Sequence, residues 1–315
     1  MYGLICKICG IMFIQGLYSE EEDDLKLTWL RSYCVYSAFC IAIFLYSEWL
    51  FLWSTPVSPL VTLRQIQPYS KYVFAFCSAL GPIRLLLNIY FSLSRSRQLL
   101  HFFKESLRYE NRVFFNQSRN SKQTATHRVL RCVLPLIFIV NVFICTYVSC
   151  SDEKSDEYTN LVSSFFNAFM FLDNFLYYVY DTIHFLVLKP CAEVLIQYVR
   201  HQHCVLRDLL ATSVNTTPSA KFEKIRQIII NLWDIRALKN TINQMWGHAV
   251  VMSIFLALFY LCTAIYTTFD KDFRTSERVP VIIYATALGV FIIDIAATSQ
   301  RLAEEVRKST IIRCI

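Results

Sequence analysis

The chain has 315 residues, of which 55% are hydrophobic and 17% are charged, whereas soluble domains have about 45–50% and about 25%. This composition excludes an ordinary soluble protein and predicts membrane lipid as a partner of its apolar surface. The net charge of +7 is distributed between apolar runs rather than over one compact domain, so we expect no nucleic acid partner.

Six apolar segments approach the length of about 20 residues that a helix needs to cross the hydrocarbon core of a bilayer. In chain order they lie at about 33–53, 70–93, 129–149, 161–188, 246–269 and 279–298. Each segment is expected to be a helix, because hydrocarbon offers free backbone groups no hydrogen-bond partner. The predicted fold class is therefore an all-α polytopic membrane protein with about six transmembrane helices.

The distribution of lysine and arginine indicates the orientation of these helices. One side of the membrane has 23 of them, of which 3 lie in segment 1–32, 8 in loop 94–128, 8 in loop 189–245 and 4 in tail 299–315. The opposite side has 5. Cytoplasmic connections carry the excess of positive residues. We therefore expect a cytoplasmic N-terminal segment over 1–32, a transmembrane bundle over 33–298 and a cytoplasmic tail over 299–315.

The two large cytoplasmic connections are predicted to contain helices. Between residues 219 and 245, apolar residues recur at intervals of three and four, which is the helical period. Pro218 suits the first position of that helix, after the turn-like run 213–217. The fourth crossing is expected to continue as a cytoplasmic helix, and 99–116 has a similar pattern. The apolar faces of these helices should pack on each other or on a partner chain.

Several ionisable residues lie inside the apolar segments, where each is costly in lipid and should face protein or water. They are Glu48, Arg84, Asp173, Asp181, His184 and Asp294. Asp173 suits a ligand pocket or a water-lined path as well as it suits hydrogen bonding between helices. For Asp181 and His184, which lie near the cytoplasmic end of the fourth segment, bonding between helices is the favoured interpretation.

Two enzyme classes have superficial support in the sequence. An intramembrane aspartyl protease needs two aspartates that share a proton, and Asp181 and Asp294 are the candidate pair. The Gly-x-Gly-Asp context of such proteases is absent around Asp294, however. An acyltransferase would use the H-x4-D string of His203 and Asp208, which better fits two solvated residues of a cytoplasmic helix. We expect no enzyme activity, no catalytic residue, no cofactor and no metal site.

The layout and three strings of this sequence resemble the insect gustatory receptor family, which is related to the insect odorant receptors. The strings are KICGIMFIQGL near the N-terminus, LKNTINQMWGHAVVMSIFLALFYLCTAIYTTF over Leu238 to Phe269, and SQRLAEEVRKSTIIRC at the end. In the second string, an amphipathic helix meets an apolar helix at Asn243 and the pair Trp246-Gly247. Family members have a cytoplasmic N-terminus, as the lysine and arginine count predicts here.

This sequence departs from the family pattern at its C-terminal end. Family members end with a seventh helix that carries a Thr-Tyr…Gln-Phe/Leu signature and lines the pore, and the sequence stops before such a helix. We therefore expect a truncated gene model, a splice form, a fragment or a non-conducting relative.

The resemblance implies a gustatory chemoreceptor in the plasma membrane of a sensory neuron. Such a subunit is a ligand-gated cation channel for a small-molecule tastant, assembled as a homo- or hetero-tetramer with related receptor subunits. Sugars, bitter compounds and carbon dioxide stay open as ligands, as does the need for a co-receptor. The alternative is a G-protein-coupled-type receptor, against which the predicted cytoplasmic N-terminus argues.

We expect the ligand pocket within the helical bundle of each subunit, opening toward the outside. The predicted ligand-binding residues are Phe169, Asp173, Tyr177, Tyr260, Tyr266 and Tyr284. Aromatic rings offer apolar faces and stacking, while the hydroxyls and the carboxylate offer hydrogen bonds. Plain packing between helices is the competing interpretation for each tyrosine.

Overall fold

Long helices make up most of the chain in the structure, which is a computed structural model. The structure describes residues 7, 10, 83 and 143 and the ranges 13–15, 22–27, 31–54, 85–115, 160–211, 218–269 and 275–312. Its long helices are α1 (Arg31–Ser54), α2 (Ser96–Val113), α3 (Asn160–Ala211), α4 (Pro218–Phe269) and α5 (Thr275–Ile312). Leu85–Ser94 is also helical and leads through Arg95 into α2.

The helical character of the predicted fold class is confirmed. The described residues contain one short antiparallel pairing, between β1 (Ile14–Gln15) and β2 (Lys26–Leu27). Within the described part of the chain, one helical stretch, Ser219–Thr263, has the length and hydropathy of a membrane span. The number of crossings and their orientation therefore stay predictions. Apart from residue 143, predicted segment 129–149 lies outside the described residues, as does most of 70–93.

Helices α3 and α4 are much longer than a bilayer is thick. Each has 52 residues, or about 78 Å at 1.5 Å per residue, against about 30 Å of hydrocarbon. Each therefore carries a polar extension, 189–211 in α3 and 218–245 in α4, as well as an apolar portion. Pro190 lies inside α3, where it removes one backbone N–H from the helical hydrogen bonds. Helix α4 begins at the predicted residue, Pro218.

The amphipathic and apolar portions of α4 form one unbroken helix through Asn243, Trp246 and Gly247. A glycine in a helix interior costs about 1 kcal/mol relative to alanine. That cost is too small to end a helix whose neighbouring residues are packed, and Met245, Trp246 and Ala249 are all buried. The junction expected from the sequence is thus a change of composition and not a break in the backbone.

Helix α2 lies against the polar extension of α4. Its buried residues recur at intervals of three and four, so they form one face of the helix. They are Ser96, Leu99, Phe102, Ser106 and Tyr109.

The core lies between α3, α4 and α5, which pack on one another in all three pairs. Its most completely buried large side chains include Tyr180, Leu195, Tyr198 and Met245. Helix α1 joins this core where the Phe44 ring meets the Tyr180 ring edge-on, with centroids 5.1 Å apart. The three packed helices therefore bring their apolar portions and their polar extensions together in one bundle.

The N-terminal segment contacts α1 closely at the backbone of Gly10. Ser37 Oγ donates a hydrogen bond to the Gly10 carbonyl oxygen at 2.5 Å. Gly10 has a φ of 74°, and an added Cβ would lie 2.8 Å from the Ser37 Cα. Glycine is required here by both its backbone conformation and the lack of space.

Candidate functional site

The residues predicted to bind a ligand are distributed over the three central helices. Helix α3 carries Phe169, Asp173 and Tyr177, helix α4 carries Tyr260 and Tyr266, and helix α5 carries Tyr284. The described side chains among them are those of Tyr177 and Tyr266. Tyr177 is half-buried against the core, and Tyr266 is 40% exposed. The side chains of the other four lie outside the described part of the structure, so the predicted pocket stays a prediction.

A buried ion pair joins α3 to α5. The Lys189 ammonium contacts the Asp294 carboxylate, and each residue is 6% exposed. Thr298 Oγ1 donates to the backbone carbonyl of Asp294 at 2.8 Å. The Asp294 carboxylate is paired with an ammonium, whereas an aspartyl protease needs two carboxylates that share a proton. This pairing disfavours the protease hypothesis for Asp181 and Asp294.

A cavity of about 170 Å³ lies beside this ion pair, between α3, α4 and α5. Apolar side chains form much of its wall, with polar groups from all three helices. The polar lining residues are Lys189, Lys239, Asn243, Trp246, Thr298 and Ser299. Trp246 is 3% exposed, and its indole N–H has no hydrogen-bond partner among the residues that the structure describes. Three lining residues on α4 and α5, Asn243, Gly247 and Ser299, are exposed, from which we infer that the mouth of the cavity lies between these two helices.

The cavity lies where the three predicted crossings end. The predicted cytoplasmic ends are residue 188 on α3, residue 246 on α4 and residue 298 on α5, and all three residues line the cavity. No ligand was predicted at this place from the sequence. The string Asn243…Trp246-Gly247 marks it in the sequence, where it carries part of the family resemblance.

A chain of buried polar side chains connects α2 to α3 and α4. Gln202 Nε2 donates to Tyr109 Oη at 2.8 Å, and Asn231 Nδ2 donates to Gln202 Oε1 at 3.2 Å. Beside it, Tyr198 Oη donates to Glu110 Oε1 at 2.5 Å. Burial raises the pKa of both tyrosine hydroxyls, so both stay neutral. These bonds hold the polar extensions together.

The residues proposed for an acyltransferase do not form a pair. His203 Nδ1 lies 3.7 Å from Glu305 Oε2 on α5, while the Asp208 side chain is 74% exposed and lies 3.9 Å from neighbouring Arg207. Burial lowers the pKa of His203 despite the opposing attraction of Glu305. His203 thus belongs to a contact between helices and Asp208 belongs to the surface.

Two comparisons with known proteins bear on the identity of the chain. A comparison with curated proteins gave no match. A comparison with protein families gave a match, over residues 1–312, to the family described as 7tm chemosensory receptor. That match takes in nearly the whole chain and agrees with the helical architecture. The protein belongs to the 7tm chemosensory receptor family and is a chemoreceptor of the membrane.

Proposed function

We propose that this chemoreceptor is a gustatory receptor subunit that opens a cation channel when a small-molecule tastant binds. The observation that carries the proposal is the match to the chemosensory receptor family over residues 1–312. A receptor of this kind has to connect an outer binding pocket to its cytoplasmic part. Helices α3 and α4 are long enough for that, since each continues without a break far beyond the length of a membrane crossing.

The tastant pocket is proposed at the outer ends of α3, α4 and α5. Phe169, Asp173 and Tyr177 are its residues on α3, Tyr260 and Tyr266 on α4, and Tyr284 on α5. The mutual packing of these three helices supports the proposal, because residues at equal depth on packed helices lie near one another. Movement of the outer ends on ligand binding would be carried to the cytoplasmic extensions by the same helices.

We propose that four subunits assemble, either copies of this chain or related receptor subunits. An apolar stripe on the cytoplasmic part of α4, formed by Phe222, Ile229 and Trp233, supports this. These residues are 70%, 38% and 55% exposed, and their spacing places them within about 40° of one line along the helix. Exposed apolar patches of this kind are typical of surfaces that bind another protein.

The proposed orientation places the receptor in the plasma membrane as a multi-pass protein with its N-terminus inside. An epitope tag before Met1 should then bind antibody only after cells are permeabilised. A tag that binds antibody on intact cells would contradict this orientation and favour a G-protein-coupled-type receptor.

The channel proposal is tested by whole-cell recording from cells that express the full chain, alone and with related receptor subunits. Sucrose, caffeine and bicarbonate serve as representative sweet, bitter and carbon dioxide stimuli. We expect one stimulus to evoke a cation current. Asp173→Asn should reduce the apparent affinity for that stimulus about tenfold, because a hydrogen bond to a charged group is lost.

Asp208→Asn is the matched control, since it makes the same chemical change on an exposed cytoplasmic side chain. It should leave the current unchanged. A response to a stimulus that persists without any membrane current, and that disappears when G proteins are blocked, would contradict the channel mechanism.

A further inference from the structure

We propose that the cavity between α3, α4 and α5 binds the phosphodiester group of an anionic phospholipid from the inner leaflet. This is a second binding site, separate from the proposed tastant pocket. The depth of the cavity is the first reason. It is lined by the cytoplasmic ends of the three predicted crossings, Leu188, Trp246 and Thr298, and lipid headgroups lie at that level of a membrane.

The charge of the cavity calls for one negative group. Lys189 is neutralised by Asp294, whereas Lys239 has no ion-pair or hydrogen-bond partner among the described residues. The uncompensated charge of the lining is therefore +1. A phosphodiester carries one negative charge and accepts hydrogen bonds on its free oxygens.

The wall of the cavity contains a residue with a buried hydrogen-bond donor, Trp246. Within the described part of the chain, the buried Trp246 indole N–H has no partner, and a buried donor left without a partner costs about 1–3 kcal/mol. Lys239 and Trp246 are seven residues apart on α4, so they lie on one face of the helix. An anion in the cavity can pair with the Lys239 ammonium, and a turn of the Trp246 ring toward that anion would give the buried N–H an acceptor. A cavity of about 170 Å³ is comparable to the roughly 150 Å³ that holds benzene, which is enough room for a phosphate group.

The surface outside the cavity mouth favours a lipid over a free phosphate. Beyond Gly247, α4 exposes Val251, Phe255 and Leu258, which follow it at intervals of four, four and three residues and so share one face of the helix. They are 65%, 56% and 57% exposed. These three residues form a lipid-facing row that begins at the cavity mouth and continues along the predicted membrane segment. An acyl chain can follow it while the phosphodiester group stays in the cavity.

The test measures lipid retention by native mass spectrometry of the full-length protein purified in detergent. The probes are dioleoyl phosphatidylglycerol, dioleoyl phosphatidylcholine and glycerol 3-phosphate at equal concentrations. The wild-type protein should retain one phosphatidylglycerol much more strongly than glycerol 3-phosphate, which has no acyl chain. It should also prefer phosphatidylglycerol to phosphatidylcholine, because the choline ammonium offsets the phosphodiester charge and is repelled by Lys239. Lys239→Gln should lower this retention about tenfold, because a charge-assisted hydrogen bond is lost. Lys221→Gln is its control, with the same loss of charge at the distant end of α4.

A second pair of variants tests the site without removing any charge. Gly247 lies at the cavity mouth, and an added Cβ there would meet nothing within 4 Å. Gly247→Leu should therefore fold, since leucine also favours helix over glycine, and it should block entry and lower retention at least tenfold. Gly289→Leu is the matched control, because Gly289 has equal space and does not line the cavity.

Selective loss in Lys239→Gln and Gly247→Leu, with both controls unchanged, would support the proposal. Equal retention by all five proteins would overturn it, because the lipid would then bind elsewhere. Equal binding of glycerol 3-phosphate would overturn the lipid assignment in favour of a free phosphate, and equal retention of phosphatidylcholine would overturn the requirement for net negative charge. None of these outcomes depends on the identity of the tastant or on channel activity.

Discussion

Asp294 illustrates how a costly residue is accommodated in this protein. A carboxylate in an apolar segment must be paired or face water, and here Lys189 provides the partner. The two residues are separated by 105 positions in the chain, so no local pattern links them. In a count of positive residues, Lys189 simply belongs to the cytoplasmic connection that follows the fourth crossing.

Removal of one member of this ion pair should be more harmful than removal of both. Asp294→Asn leaves the Lys189 ammonium buried without a counter-charge, and such a loss typically destabilises a protein by about 3–5 kcal/mol. The double variant Lys189→Met/Asp294→Leu should recover most of that loss, because apolar side chains then fill the site. The free energy of unfolding, from denaturant titration in detergent micelles, measures both effects.

Asp208→Asn is the control for that comparison and should change the free energy of unfolding by less than about 0.5 kcal/mol, since the Asp208 side chain is 74% exposed. If Asp294→Asn were as stable as this control, the ion pair would contribute nothing to the fold.

The residues of the proposed tastant pocket share an aromatic or acidic side chain and a predicted depth in the membrane. Depth along a helix can be predicted from the sequence, because apolar segments have definite ends. The direction of a side chain within a bundle cannot, because it depends on how each helix is rotated against its neighbours. Tyr177, half-buried against the core, and Tyr266, 40% exposed, were alike in the sequence and differ in the structure.

Among the helices, the features that depend on neighbouring residue types could be predicted from the sequence, namely helix starts and amphipathic faces. The start of α4 at Pro218 and the amphipathic α2 followed from turn residues and apolar spacing. The pairing of Ile14–Gln15 with Lys26–Leu27 had no signal of its own, since each strand has two residues. Which helix α2 packs against could not be predicted, because its apolar face would fit any neighbouring amphipathic helix and the buried hydrogen bonds that select the partner leave no pattern in the sequence.

Those buried hydrogen bonds should determine how firmly α2 is attached. Gln202→Leu removes the donor to Tyr109 and the acceptor for Asn231. Each orphaned buried group costs about 1–3 kcal/mol, so α2 should open locally much more often than in the wild-type protein. Hydrogen–deuterium exchange of the backbone amides of α2 measures this, because local opening sets their protection.

The effect of Gln202→Leu should be confined to the polar extensions. Gln300→Leu is its control, since Gln300 is exposed and bonds only to Glu304 on its own helix among the contacts described. Unchanged protection of α2 in Gln202→Leu would mean that apolar contacts such as those of Leu99 and Phe102 hold the helix alone.

The whole molecule consists largely of long continuous helices. Each of the longest helices joins an apolar portion to a polar extension without a break in its backbone. The predicted membrane portions are largely apolar, and the extensions carry polar networks and ion pairs such as the contact of Glu305 with Arg200 at 3.1 Å. A rigid helix transmits displacement along its length. The ion pair and the cavity lie at the transition between the two regions, so a lipid bound there would be placed to influence that transmission.

The proposed assembly of four subunits depends on the apolar stripe of Phe222, Ile229 and Trp233. Phe222→Glu combined with Ile229→Glu should place carboxylates in the subunit interface, where unpaired charge is costly to bury. We expect the tetramer fraction to fall at least tenfold, as measured by mass photometry of the protein in detergent. Ala220→Glu is the control, because Ala220 is also exposed but lies about 160° away around the helix. Tetramers that survive the double substitution would show that subunits meet through another surface, and the exposed stripe would then need a different partner.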